Sequence, residues 1–181
     1  MPVARRRQRN SMAENDNDGG DKAKGTPDKE QLFNFLLKKV RETVVGSYDT
    51  TEKLFTICTL LMDTVPYYDW VGFYLVDPPG NKELVLGPFV GEPPEHVRIP
   101  FGTGICGQAA ERKVTVIAQD VSKEVNYLSC SPKVKAEIIV PIFKNGELVG
   151  ELDIDSHTRS PFTLEDRIFL ENICEIVSAL F

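Results

Sequence analysis

The chain has 181 residues, enough for one domain with a full hydrophobic core. Asp and Glu number 27 against 21 Lys and Arg, a net charge of −6, and this argues against a nucleic-acid surface, because phosphate binding needs a basic patch. No apolar run approaches the roughly 18 residues of a membrane helix, the N-terminus lacks the apolar stretch of a secretory signal, and four widely spaced cysteines do not make a disulfide-stapled framework; the expectation is a soluble, cytoplasmic protein with free thiols.

Residues 1–29 stand apart. RRRQR is followed by AENDNDGGDKAKGTPDK, polar, Gly-rich and nearly free of large apolar residues. Such a segment cannot offset its ordering entropy by burial and is expected to be a disordered tail. The acidic run behind the basic start does not suit a mitochondrial presequence. Residues 30–181 are expected to form the folded domain, its first helix opening near Thr26-Pro27 as N-cap and first helical residue. Leu32, Phe33, Leu36, Leu37, Val40 and Val44 recur at helical spacing. A second helix starts at Asp49, with Glu52 three residues on as in a capping box, and its stripe is Leu54, Cys58, Leu61 and Val65.

Strand-like sequence follows. WVGFYLV (70–76) is aromatic and β-branched, DPPGN (77–81) is a turn by composition, and ELVLGPFVG (83–91) is the expected hairpin partner. HVRIPF, TVIA, AEIIVPIF (136–143) and ELVGELDID (147–155) supply further strands, the last two joined by KNGE, whose Asn-Gly is a strong hairpin signal. A third long helix starts at Thr163, with Asp166 at the capping-box position and a stripe through Leu170, Ile173, Cys174, Val177 and Leu180. Helices at both ends of an antiparallel sheet predict an α+β domain with its helices on one face.

The cysteines separate by context. Cys58 and Cys174 lie on apolar stripes and read as core. Cys106 sits in FGTGICGQAA, where Gly102, Gly104 and Gly107 mark a tight turn before the helical QAAERK. A thiol near a helix N-terminus is drawn toward thiolate, and a small residue packed under the turn is the plainer reading. Cys130 lies in YLSCSPK, outside regular structure, with Lys133 and Lys135 nearby to favour an anion. Zinc is not expected: there is no C-x-x-C, and His96 and His157 make no ligand spacing with the cysteines.

In GELDIDS, Glu151, Asp153 and Asp155 alternate with Leu152 and Ile154, which on a strand places three acids on one face. The face is either solvated or the wall of a pocket that binds a cation or handles protons. Glu137 opens the strand paired through the Asn-Gly turn and comes near this ladder. Trp70 and Tyr74 share a strand face, as core or as a pocket wall for a small apolar group.

Together WVGFY (70–74), LVLGPFVG (84–91), VRIPFGTGICG (97–107), Cys130, EIIVP (137–141) and LDIDS (152–156) resemble the free methionine-(R)-sulfoxide reductases, a GAF-domain enzyme family. The resemblance covers about residues 30–181. It implies a GAF-like fold: a central antiparallel sheet with helices on one face and a small-molecule pocket on the other. It implies that Cys130 is the nucleophile, that Trp70 and Tyr74 hold the methylsulfinyl group, and that Glu137, Asp153 and Asp155 are the substrate-binding and catalytic acids. One position departs from the family pattern: His96 stands where members often carry a resolving cysteine, and Cys106 is the natural substitute.

The implied chemistry is attack of a Cys130 thiolate on the sulfoxide sulfur, with a proton from a clustered carboxyl. A sulfenic acid follows, then a disulfide, restored by an external dithiol such as thioredoxin. No bound cofactor, metal, nucleic acid or membrane is called for, and a homodimer is left open. The rival readings are a non-catalytic GAF module that binds a small molecule and a thiol redox sensor.

Overall fold

The computed structural model describes residues 28–77, 82–128 and 131–181. Among these described residues four α-helices and six strands run in the order α1 (Lys29–Val45), α2 (Thr50–Thr64), β1 (Trp70–Val76), β2 (Glu83–Val90), β3 (Arg98–Pro100), α3 (Gly104–Arg112), β4 (Val116–Ala118), β5 (Ala136–Lys144), β6 (Glu147–Ser156) and α4 (Leu164–Val177). The strands form one antiparallel sheet in the order β3-β2-β1-β6-β5-β4. Its two central strands, β1 and β6, carry the motifs with aromatic and acidic alternation.

The local signals act as their chemistry dictates. The Asp49 carboxylate accepts from the Glu52 backbone N–H at 2.9 Å and caps α2. At α4, Thr163 and Asp166 form a complete capping box. Asn145 and Gly146, at φ 53° and 83°, turn β5 into β6, both central residues being left-handed as a tight hairpin of matching twist requires. β1 and β2 pair as expected, while Pro78–Asn81 of the turn between them lie outside the described residues. Thr26 and Pro27, expected to open α1, also lie outside them; the helix begins at Lys29 behind Asp28. The Lys29 ammonium fastens that start to α4, bonding Asp166 at 2.6 Å and Thr163 Oγ1 at 2.8 Å.

Each face of the sheet has its own apolar cluster. On one face α1, α2 and α4 bury Leu36, Val40, Leu54, Leu61, Leu170 and Ile173 against Val71, Phe73, Ile138, Val140, Leu152 and Ile154. The short α3 lies on the other face, where Ile105, Cys106, Ala109 and Ala110 meet Trp70, Tyr74 and Ile139. The long helices therefore share one face, as expected, and α3 is the cover of the pocket face. Among the described residues no helix is long and apolar enough to cross a membrane.

Candidate active site

The antiparallel register arranges the pocket face as three rows. Trp70 stands opposite Asp155, which stands opposite Glu137; Gly72 opposite Asp153, opposite Ile139; Tyr74 opposite Glu151, opposite Pro141. Directly opposed side chains on one face lie about 5 Å apart, so the acids and aromatics of distant motifs form one surface. This resolves the choice left by the alternating sequence: the acid face is buried, with Glu151, Asp153, Asp155 and Glu137 at 0%, 1%, 2% and 2% exposure.

A carboxylate removed from water without a cation favours its neutral form. Burial first, and then the charges of Asp155 and Asp153, hold Glu137 well above the usual carboxylate range. Burial followed by the neighbouring Asp155 raises Asp153, and burial followed by Asp153 raises Glu151, with the Cys106 thiol acting against both shifts. Burial also pushes Asp155 up, to about 7; a hydrogen bond from Glu137 opposes the rise and Asp69 adds to it. Neutral Glu137 thus donates to Asp155, the group of this set most ready to ionise. One oxygen each of Asp153 and Asp155, and both of Glu151, find no hydrogen-bond partner within ordinary geometry. Buried orphan oxygens of this kind are costly in a closed fold and point to a polar ligand. Among the described residues no group of His, Cys, Asp and Glu has the arrangement to hold a metal ion.

The aromatic wall is fixed from behind. Trp70 donates its indole N–H to the Glu92 carbonyl at 3.0 Å and stacks on Phe89, ring centres 5.7 Å apart. Gly91, at φ 131°, passes so close that a Cβ there would sit 2.4 Å from the indole, so only glycine lets the chain wrap this ring. Tyr74 is wholly buried and donates its hydroxyl to the His96 carbonyl at 2.8 Å. His96 therefore serves the pocket wall through its backbone.

Cys106 lies in the first turn of α3, 4% exposed, its thiol 3.4 Å from Asp153 Oδ2. The plainer reading of a small residue under the turn is right about its packing, and the structure also brings it onto the acid row. Ser129 and Cys130 lie outside the described residues. The chain on either side of them is tied to the pocket rim. Asn126 donates to the Gly102 carbonyl at 2.7 Å. Leu128 rests on Gly104, where a Cβ would come within 2.8 Å of the Leu128 Cβ. Lys133, expected to favour a Cys130 thiolate, is engaged by Glu92 in an ion pair across the rim, and Lys135 reaches the Pro132 carbonyl at 3.5 Å.

A cleft of about 390 Å³ opens at the Trp70 end, with Asp69, Glu92, Ser131, Asp155 and His157 on its walls. Sequence reading passed over Asp69 and treated His157 only as a metal ligand to exclude. The alternation that exposed the acid ladder, extended by one step past Asp155, reaches His157. Cys58 and Cys174 are buried on the helix side as expected; their thiols face the carbonyls of Pro88 and Val140 at 3.6 and 3.5 Å, and burial raises both far above the ordinary thiol range.

A two-faced sheet with buried acidic and aromatic side chains beside a cleft is the architecture of a small-molecule domain, and the profile of the GAF domain family matches residues 49–180. The chain belongs to the GAF domain family and, within it, to the free methionine-R-sulfoxide reductases. It is 35% identical over 149 residues to GAF domain-containing protein A of Dictyostelium discoideum, 82% of this chain and 92% of that one. It is 32% identical over 138 residues to the free methionine-R-sulfoxide reductase of Escherichia coli, 76% of this chain and 81% of that one. The X-ray structure of free methionine-R-sulfoxide reductase from Neisseria meningitidis, in complex with its substrate, superposes with a TM-score of 0.80 at 34% identity, covering 86% of this chain and 92% of that one.

Proposed function

We propose that this protein reduces free L-methionine-(R)-sulfoxide to L-methionine through a thiolate on Cys130. The observation that carries the reading is the buried carboxyl surface of Glu137, Asp155 and Asp153, set beside Trp70 and the Cys106 thiol on one sheet face. Asp155, the most readily ionised, pairs with the substrate ammonium together with Asp153, while Trp70 and Tyr74 take the apolar end. Glu137, held neutral, supplies the proton that makes the sulfoxide oxygen able to leave its sulfur.

The thiolate attacks the sulfoxide sulfur and forms a sulfur–sulfur bond, the oxygen leaves with the Glu137 proton as hydroxide, and hydroxide then attacks Cys130 Sγ, which breaks the sulfur–sulfur bond and releases the thioether of methionine. Cys130 is oxidised to sulfenic acid, and Glu137 is left as an anion. The Cys106 thiol then attacks Cys130, water leaves, and a Cys106–Cys130 disulfide forms. The seating of Leu128 on Gly104 supports this pairing, since each lies two residues from one of the thiols. An external dithiol of the thioredoxin type restores both cysteines. The reading asks for no bound cofactor and suits the reducing cytoplasm.

Release of methionine from the free R-sulfoxide with dithiothreitol or thioredoxin tests it. Cys130→Ser is expected to release none. Cys106→Ser is expected to release about one equivalent and then stall with thioredoxin, leaving a trappable sulfenic acid. Tight binding of the sulfoxide without turnover in the unaltered protein would overturn the enzymatic reading in favour of a binding module.

A further inference from the structure

The proposed reaction leaves Glu137 without its proton in a pocket whose acids are almost wholly buried. That proton has to come back from solvent before the next turnover, and reduction of the disulfide releases one to solvent when Cys130 returns to thiolate. Resting on the reductase reading, we propose that His157, steered by Asp69 at the pocket mouth, carries protons from solvent to the Asp155–Glu137 pair between turnovers.

Three observations converge on this residue. First, it is the next position of the ladder Glu151, Asp153, Asp155, and the row passes abruptly from 2% exposure at Asp155 to a side chain 42% exposed at His157. Second, Asp155 and His157 both line the cleft that opens at the Trp70 end, so the outer member of the buried pair and the imidazole border one solvent-reaching space. One carboxyl oxygen of Asp155 is buried without a partner. Third, Asp69 links the two. Its backbone N–H donates to the Asp155 carbonyl at 2.9 Å, its Oδ2 accepts from the His157 backbone N–H at 2.7 Å, and its Oδ1 lies 3.5 Å from His157 Nδ1. With Nδ1 turned to Asp69, Nε2 is left to exchange protons. An imidazole carries one ring nitrogen that can donate while the other accepts, which suits it to pass a proton on. The charged groups around it are Asp69, Asp155 and Glu92, the last already paired with Lys133.

His157 acts through Asp155 and touches no reacting atom, so the test separates proton return from chemistry. His157→Ala and His157→Gln keep the backbone bond to Asp69 and are expected to melt as the unaltered protein does. With saturating sulfoxide and dithiothreitol, steady-state turnover is expected to fall roughly tenfold. Methionine release in the first turnover is expected to stay at its original rate, because the pocket is already loaded. Added imidazole is expected to restore steady-state turnover in His157→Ala. Unchanged steady-state turnover, a loss that imidazole does not restore, or an equal loss in the first turnover would each overturn the relay. An unaltered chain that releases no methionine even in a first turnover would overturn the reductase reading itself, and the relay with it.

Discussion

Replacing Asp155 by Asn should abolish a loss of stability that the protein suffers as pH rises, while weakening its hold on the substrate. In the fold Asp155 is raised from its ordinary 3.8 to about 7, mainly by burial. An acid whose folded value is raised binds its proton more tightly folded than unfolded. Its contribution to stability is therefore most favourable below the unfolded value and declines as pH climbs from about 4 to about 7, then stays level. Three pH units at about 1.4 kcal/mol each set a ceiling of about 4 kcal/mol, and the proton shared with Glu137 reduces what is realised to about 2–4 kcal/mol. Asn titrates in neither state, so this decline vanishes in the variant. Removing Asp155 also relieves Glu137 and Asp153, both raised in part by its charge, and that acts in the same direction. The amide adds a pH-independent cost of about 1–3 kcal/mol if its N–H group stays unpartnered, so the quantity to read is a difference of differences. Urea denaturation of both proteins at pH 4.5 and pH 8 provides it: over that window the stability of the variant relative to the original should improve by about 2–3 kcal/mol at the higher pH. In the sulfoxide assay the variant should show a raised KM, the mark of lost binding. A relative stability that is the same at both pH values would refute the claim that the ligand-free pocket strains its own carboxyls.

Asp166→Ala should destabilise the fold by about 3–5 kcal/mol in denaturant, since it strips a buried carboxylate that accepts from Lys29, Tyr67, Tyr68 and Thr163. Burial alone would raise Asp166, yet Lys29, Tyr67 and Thr163 hold it below its ordinary value; its stabilisation is thus present above about pH 4 and is lost as pH falls through the folded value, a slope the Ala variant should lack. Cys58→Ser and Cys174→Ser should each cost about 1–3 kcal/mol by placing a hydroxyl on an apolar stripe, with turnover retained at temperatures where the variants stay folded. N-acetylmethionine sulfoxide, without an ammonium to meet Asp155 and Asp153, should show kcat/KM reduced by about 2–5 kcal/mol of transition-state binding relative to the free amino acid; equal rates would remove the ammonium from the pocket.

Sequence and structure agree best where a local rule suffices. The alternation in ELVGELDID, the Asn145-Gly146 turn and the Thr163–Asp166 capping box each state their geometry within a few residues, and each is met. The alternation also states that Glu151, Asp153 and Asp155 share a face. It cannot state what lies over that face, because the cover comes from α3 and from the segments around Leu128 and Val134, which are remote in sequence. The position of α3 was hidden for a related reason: its Gly104–Arg112 is short and dominated by small residues, and shows no long apolar stripe to orient it. Trp70 and Tyr74 were legible as neighbours, but the close passage of Gly91 that pins the indole depends on a pairing of β1 with the end of β2.

The same period-2 rule explains why one strand serves both core and pocket. On β6, Leu152 and Ile154 pack under α1, α2 and α4, and their burial is the familiar hydrophobic term. One residue away, Glu151, Asp153 and Asp155 are buried just as deeply with oxygens unsatisfied, a term of opposite sign. The strand cannot slip by one residue to relieve them, since that would move the acids into the helix-side core and the apolar residues out of it. The apolar half of β6 therefore holds the acid half in a state it would not choose alone. On the proposed reading, the substrate's ammonium and sulfoxide oxygen would meet carboxyls that the strand register has already aimed.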